Sequence, residues 1–383
     1  MSSPGRRKHA EIAGAGLGGL TLATALAHRG WSVRVHERAA HLRDIGVGTT
    51  LWQNGHLALD AVGALDEVTK AGTRISRQIV RDERLQPLRV HDFNDTDDRA
   101  LVVLRVDHHR ALVNTATKAG VEIVTSSTAV GADPDGVLIM ENGDRHSADL
   151  VVGCDGYNSK VRDSLGLAKF VGFVTEARIG RVTIPREERP ETEMIQNFWN
   201  GPRRCGLLGC QEVNYIYLSA PENCPHNVEE VRTRSLYKPV WIEAFPFLKD
   251  KWEMVESEII WGRYPISECH SWSSGRAAIL GDSAHSMPPT MAQGAGCAMA
   301  NGVALAEALK KIDDVPAALK EWEACERPIT DVTQRWAVLS IMMSVRWPEN
   351  LLDMRSQVIA EAFTSPALAA HYYSASQHVV AVN

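Results

Sequence analysis

Apolar and polar positions change period several times along the chain, and each change marks an element. Residues 10–13 read as a short buried strand, and Gly14-Ala-Gly-Leu-Gly-Gly19 behind it as a tight turn. Leu20, Ala23 and Ala27 then recur at helical spacing, with Gly30 as the stop. Val33 and Val35 alternate as a second strand. A helix is predicted over 53–70, where Leu57, Ala61, Ala64, Leu65 and Val68 make an apolar stripe closed by Gly72. Asp107 is the expected cap of a third helix, with Leu112, Ala116 and Ala119 inward and Gly120 ending it, and residues 121–124 follow as a strand.

Further on, residues 137–141, the pair Asn142-Gly143 and a second apolar run ending in 149–153 read as a β-hairpin with a type I′ turn. From about 173 to 265 the helical period mostly gives way to alternation. Antiparallel strands are predicted at 178–185, 194–199, 215–219 and 258–264, with one helical stretch at 227–244 before Phe245-Pro-Phe-Leu248. Residues 276–280 return as a buried strand running into Gly281-Asp282, and a small-residue helix follows from about 292 to 311.

Composition narrows the classes. At 44% hydrophobic and 23% charged residues, the 383-residue chain excludes collagen, coiled coil and global disorder. A net charge of −6 argues against a nucleic-acid partner, since binding of that kind neutralises many phosphates. Seven cysteines without a CxxC pair disfavour a disulfide framework, and no metal site is expected. Arg6-Arg7-Lys8 ahead of an apolar run imitates a secretory signal. Glu11, the glycines at 14, 16, 18 and 19, and the unbroken continuation to Glu37 instead make that run a strand, turn, helix, strand unit. The expectation is a cytoplasmic protein with no membrane span, a monomer or homodimer.

Gly14, Gly16 and Gly19 stand as GxGxxG between a strand and a helix. Their reasons are a tight turn, close approach of a pyrophosphate and close helix packing. The helix start offers unpaired N–H groups to the phosphates. Glu37, eighteen residues beyond Gly19, ends the second strand where a carboxylate can accept from ribose hydroxyls. This context points to a dinucleotide and leaves FAD and NAD open. Two further acidic turns, Cys154-Asp155-Gly156 and Gly281-Asp282, also follow apolar strands, where ligands of open α/β sheets gather. The fold class expected is α/β: a Rossmann-like nucleotide-binding domain from 1–72, 100–172 and 270–345, interrupted by a mainly antiparallel-sheet substrate domain from 73–99 and 173–269. A C-terminal helical segment, 346–383, completes it.

Three motifs in this order, GAGLGG near the start, CDGYNSKVR at 154–162 and GDSAHSMPPTMAQGAG at 281–296, resemble the FAD-dependent aromatic hydroxylases, the single-component group that includes para-hydroxybenzoate and salicylate hydroxylases. The runs LWQNG, RVTIPR, NFW, EAFPFL, GRY and AQGAGCAMAN are similar to the branch acting on hydroxypyridine carboxylates. The resemblance implies an FAD-binding domain of the para-hydroxybenzoate hydroxylase type, tight non-covalent FAD, transient NAD(P)H, O2, and transfer of one oxygen through a flavin hydroperoxide to a small aromatic or N-heteroaromatic substrate. Ring opening beyond hydroxylation stays open.

Carried over by position, it makes Gly14, Gly16, Gly19, Glu37 and Arg38 ADP-side contacts, puts Arg105 on FAD and Asp282 on the ribityl chain. Ala292, Gly294 and Ala295 then open a helix aimed at the flavin pyrimidine. Arg181 and Arg204, with Tyr264 opposite, are the expected substrate anchors, because an aromatic carboxylate or ring oxyanion needs a cation once it leaves water. Pro289 is expected to hold the loop beside the flavin rigid. One of Tyr215 and Tyr217 is expected to face the pocket, Thr50 and Trp52 are further candidates, and His285 is assigned to packing rather than proton transfer. No GxSxG elbow supports a hydrolase. Two other classes fit parts of the pattern: an NAD-binding dehydrogenase, which leaves Gly281-Asp282 unexplained, and a non-catalytic flavin-binding sensor, which has no use for paired arginines.

Overall fold

The computed structural model describes residues 6–42, 47–93, 99–186, 188 and 192–380. One sheet has six strands. Ala277–Ile279, Leu150–Gly153, His9–Ala13, Ser32–His36 and Glu122–Val124 lie side by side and parallel, and the short Ser273–Ser274 pairs antiparallel at one edge. Ile12, Val35, Val151, Val152, Ala278 and Ile279 are fully buried, the pattern of strands covered on both faces. Helices Leu17–His28 and Gly294–Lys311 pack against each other beside this sheet.

Several elements differ from their sequence pattern, each for a local reason. The stripe over 53–70 is two helices, Gln53–Ala61 and Leu65–Ala71, parted at Gly63, whose φ of 75° no right-handed helix accommodates. The next helix starts at Arg105 with Leu104 at the cap position, so Asp107 falls inside its first turn and bonds Arg110 instead. At Asn142-Gly143 only the glycine has positive φ. The Gly143 N–H reaches the Met140 carbonyl and the Met140 N–H the Asp144 carbonyl, which is a three-residue loop with a glycine bulge rather than a type I′ turn. The hairpin partner is the short Arg145–Ser147, and Leu150–Gly153 leaves it for the parallel sheet.

The second sheet has nine strands in the order Ile260–Cys269, Ala168–Pro185, Val213–Pro221, Arg203–Cys210, Thr192–Asn200, Thr73–Arg81, Ala100–Leu104 and Gly48–Leu51, with Pro87–Asp92 paired to Thr73–Arg81. Its pairs are antiparallel except Thr192–Asn200 with Thr73–Arg81. Gly48–Leu51 and Ala100–Leu104 come from segments read as nucleotide-binding, so the two sheets share the chain more finely than the alternation implied. The helical stretch at 227–244 is also two pieces, Pro225–Thr233 and Lys238–Ala244, broken where Arg234 turns left-handed. The 31-residue helix Val315–Val345 and the shorter Leu352–Ala362 and Pro366–Tyr372 close the chain. Among the described residues no helix is long and apolar enough to cross a membrane.

Candidate active site

Three turns meet at the carboxyl ends of the parallel strands. At Gly14, with φ of 103°, a Cβ would overlap the Cys154 carbonyl oxygen, and at Gly19 it would overlap the Gly14 carbonyl oxygen, so both glycines let turn, helix and neighbouring strand close together. Gly16 differs: a Cβ there meets nothing within 4 Å, because the residue faces an open cleft at the helix start. That is the approach a pyrophosphate requires. Glu37 accepts from the Ala15 N–H at 3.0 Å and the Ala39 N–H at 2.9 Å, bracing the glycine turn, while Arg38 is exposed.

The two aspartates of the other turns have separate roles. Asp155 accepts from Ser283 Oγ at 3.0 Å, from Ser159 Oγ at 2.5 Å and from the Lys160 N–H at 2.7 Å, so it ties its own turn to the one after Ala277–Ile279. Arg162, 1% exposed, secures the same junction by donating to the Tyr157 carbonyl at 2.9 Å and the Ser283 carbonyl at 3.3 Å. Asp282 opens onto the cleft. Arg105 lines the same cleft and favours the charged form of this exposed carboxylate.

Helix Gly294–Lys311 begins two residues later than expected, since Ala292 sits left-handed at φ 55°. Gly294, Ala295 and Ala298 line the cleft, which brings the unpaired N–H groups and positive end of the helix to it. Asn54, from the LWQNG run, holds this end by donating to Gln293 Oε1 at 3.0 Å, and fills the space above Gly296. Gly16, Arg105, Asp282 and the helix amides together suit FAD: a phosphate approach, a partner for polyol hydroxyls, and donors where reduced flavin carries negative charge.

The nine-stranded sheet forms the other wall of the cleft, whose volume is about 400 Å³. Register explains its chemistry. Asn197 lies opposite Gly206, Gly206 opposite Tyr217, and Tyr217 opposite Arg181, one row across four strands. A Cβ on Gly206 would overlap the Tyr217 ring, so this glycine lets the phenol lie across the sheet and donate to Asn197 Oδ1. In the adjacent row Arg204 pairs with Trp199, 5% exposed, and donates from Nη2 to Tyr217 Oη at 3.1 Å. Its Nε and Nη1 are buried with no partner among the described residues. Arg181 lies beside Tyr215, whose phenol burial pushes up while Arg181 pulls it down.

Tyr215 and Tyr217 both line the cleft, not one of them, because residues two apart on a strand share a face. Thr50 and Pro289 line it too, whereas Trp52 is buried among Phe93, His91 and Tyr373. Tyr264, 1% exposed, is not on the cleft wall; it belongs to a buried cluster with Val174, Ile179 and Ile341 against which Tyr217 packs. His285 is likewise behind the wall, near Asn301 at 3.2 Å and tilted on Trp272, and burial pushes it down to about 4. The sequence reading missed Gln78, Asn197 and Thr290, which also line the cleft. Asn197 had a signal: a polar residue between Ile195 and Trp199 on one strand face.

The sequence family described as an FAD binding domain matches residues 8–314. A putative 2-heptyl-3-hydroxy-4(1H)-quinolone synthase of Rhodococcus erythropolis is 37% identical over 331 residues, 85% of this chain and 86% of that protein. The 3-hydroxybenzoate 6-hydroxylase of Polaromonas naphthalenivorans is 30% identical over 354 residues, 82% of each chain. The tetrameric form of 2-methyl-3-hydroxypyridine-5-carboxylic acid oxygenase superposes with a TM-score of 0.83 at 33% identity, covering 97% of this chain and 96% of that one.

Proposed function

The chain belongs to the FAD-dependent aromatic hydroxylases, and on that premise we propose that it adds one oxygen atom to a hydroxylated pyridine carboxylate or a related aromatic acid. It is an FAD-dependent monooxygenase, of a family in which NAD(P)H is the usual reductant. Bound FAD supplies the redox chemistry, drawing electrons from NAD(P)H and activating O2. The chain's own residues bind, orient and enclose. Gly16 and the helix amides hold the phosphates, Asp282 the polyol, and the start of Gly294–Lys311 the electron-rich edge of the ring system.

On the opposite wall Arg204 and Arg181 supply positive charge for the substrate's anionic group. Tyr217, backed by Tyr264, gives its proton to Asn197 Oδ1 and accepts from Arg204, which fixes its phenol as part of the wall beside the substrate ring. Pro289 and Thr290 close the cleft between the two walls; Thr290 Oγ1 donates to the Ala337 carbonyl at 2.7 Å, which fastens that loop to the long helix. Water exclusion here favours product over wasted reductant. In this reading 73–99 and 173–269 form most of the substrate-binding part.

The observation that carries the proposal is Arg204: a buried cation lining the cleft, two of its nitrogens without partners and only tyrosines acting on its charge among the described residues. Such a group costs free energy unless an anion completes it. The relatives named as quinolone synthases make a 4-quinolone ring the competing substrate. The test is to supply the yellow holoenzyme with hydroxylated pyridine carboxylates, hydroxybenzoates and 4-quinolones, following NAD(P)H oxidation and product mass. An acid giving a product heavier by one oxygen supports the reading, and turnover restricted to neutral quinolones overturns it. A product heavier by one oxygen and one molecule of water signals hydrolytic ring opening as well.

A further inference from the structure

Beyond Arg204 the cleft continues. A second void of about 30 Å³ shares Gln78, Asn197, Arg204 and Thr290 with the main cleft and runs from there toward the C-terminal helices, where Ile359, Phe363 and Tyr372 cover it. Arg89 enters it from Pro87–Asp92, an element the sequence reading had not connected with any ligand. Strand register places Arg89 opposite Val80, and its Nη2 reaches Gln78 Oε1 at 3.4 Å. Its guanidinium lies 4.7 Å from the centre of the Tyr372 ring and 5.3 Å from that of Phe363. Arg204, on the near side, lies 5.8 Å from Trp199 and 5.3 Å from Tyr217.

Two cations therefore border one small void, each resting on aromatic faces and neither with a carboxylate partner among the described residues. Arg204 carries the deficit, being buried with two unpartnered nitrogens, and aromatic faces recover only part of what a buried guanidinium loses on leaving water; Arg89 is half-buried and held by Gln78 and Tyr372, and it adds a second positive charge to the same void. An anion is the missing charge. Size limits which one: about 30 Å³ holds roughly two water-sized groups, the span of a carboxylate's two oxygens and far short of a seven-carbon chain.

We propose that this void is an acid subsite in which Arg89 and Arg204 together grip a carboxylate carried by the substrate ring. The ring lies in the main cleft beside the flavin, and its acidic substituent passes Gln78 and Asn197 and points away from the cofactor. Arg89 is the specificity-determining residue, because it stands at the far end of the void and meets only what the substituent carries. The inference rests on the reading above that the main cleft takes an aromatic ring. It adds that compact acids are preferred over neutral and long-chain analogues.

The experiment titrates the FAD-loaded enzyme with the hydroxylated pyridine carboxylate that stimulates NAD(P)H oxidation most, and with its carboxamide, reading Kd from the change in flavin absorbance. The wild type is expected to bind the acid on the order of 100-fold more tightly than the amide. Arg89→Gln brings the acid down toward the amide and weakens the amide far less, Arg89→Lys keeps part of the preference, and Ile359→Phe, which fills the void without altering charge, weakens both ligands. The ratio of flavin to protein and the melting temperature show whether each variant is folded. An unchanged acid-to-amide ratio in folded Arg89→Gln overturns the subsite while leaving the aromatic-ring reading intact. If no ring compound alters the wild-type flavin spectrum or NAD(P)H oxidation, both fall.

Discussion

Replacing Arg204 by methionine is expected to move stability and substrate binding in opposite directions. In the absence of substrate the guanidinium is a buried cation held, among the described residues, by a single hydrogen bond, to Tyr217 at 3.1 Å, and by the faces of Trp199 and Tyr217. The hydrogen bond contributes about 1 kcal/mol and the aromatic contacts about 2 kcal/mol, against several kcal/mol to desolvate the ion. An apolar chain of similar length therefore leaves the substrate-free protein equally stable or more so, by up to about 2 kcal/mol. With an anionic substrate the balance reverses. Loss of one partner of a buried charge pair costs about 2–5 kcal/mol, or roughly 30- to 4000-fold in kcat/KM.

The assay pairs thermal unfolding of the FAD-loaded variant without substrate with steady-state turnover on the best acid. A variant that melts at or above the wild-type temperature, keeps its flavin and loses at least about 30-fold in kcat/KM fits the reasoning. A marked fall in melting temperature refutes it, since Arg204 would then be meeting a structural need. Turnover within about threefold of wild type refutes it equally.

Three other expectations follow from single residues. Asp282→Ala removes the cleft-facing carboxylate and should lower FAD retention, measured as the flavin-to-protein ratio after dialysis; an unchanged ratio removes Asp282 from the cofactor site. Ala292→Gly relieves a left-handed backbone at φ 55° and should stabilise the protein by about 1 kcal/mol in urea unfolding, with no gain meaning that the turn carries no strain. Burial holds His108 down at about 3 and His285 at about 4, so both stay neutral in the folded protein well below the ordinary 6.5. The unfolded chain takes up those protons as pH falls through 6.5, and stability drops roughly tenfold in the folding constant per pH unit for each histidine. His108→Leu should flatten that slope by one proton between pH 6.5 and 4, and an unaltered slope counts against the buried neutral state.

The parts legible in the sequence were those whose chemistry is local. GxGxxG and Gly281-Asp282 carry their reason within a few residues, as turn geometry or a helix start; Glu37 stands just past its strand as expected, yet both its oxygens accept from the Ala15 and Ala39 N–H groups and it does not line the cleft. The helix at 53–70 misled because its apolar stripe continues across Gly63, and neither that periodicity nor the helical reading of 227–244 registers one residue with φ above zero, Gly63 or Arg234. Arg204 was legible only through resemblance, since an arginine on an antiparallel strand is ordinarily a solvated one. Tyr264 stood in the same position, yet its strand turns it behind Tyr217 into an apolar cluster. Gln78, Asn197 and Arg89 were invisible for a different reason. Their strands meet through long-range register, including the parallel pairing of Thr192–Asn200 with Thr73–Arg81, and local alternation says nothing about which strands become neighbours.

One measurement bears most directly on the claim that a flavin and an arginine-bearing sheet wall cooperate on an aromatic acid. The FAD-loaded enzyme turns over NAD(P)H under isotopically labelled dioxygen with the best pyridine or benzene carboxylate, beside the Arg204→Met variant. One labelled oxygen per product molecule from the wild type, and at least about 30-fold less labelled product from the variant at low substrate, is the outcome the account requires. Label absent from every product, or incorporated equally by the variant, contradicts it.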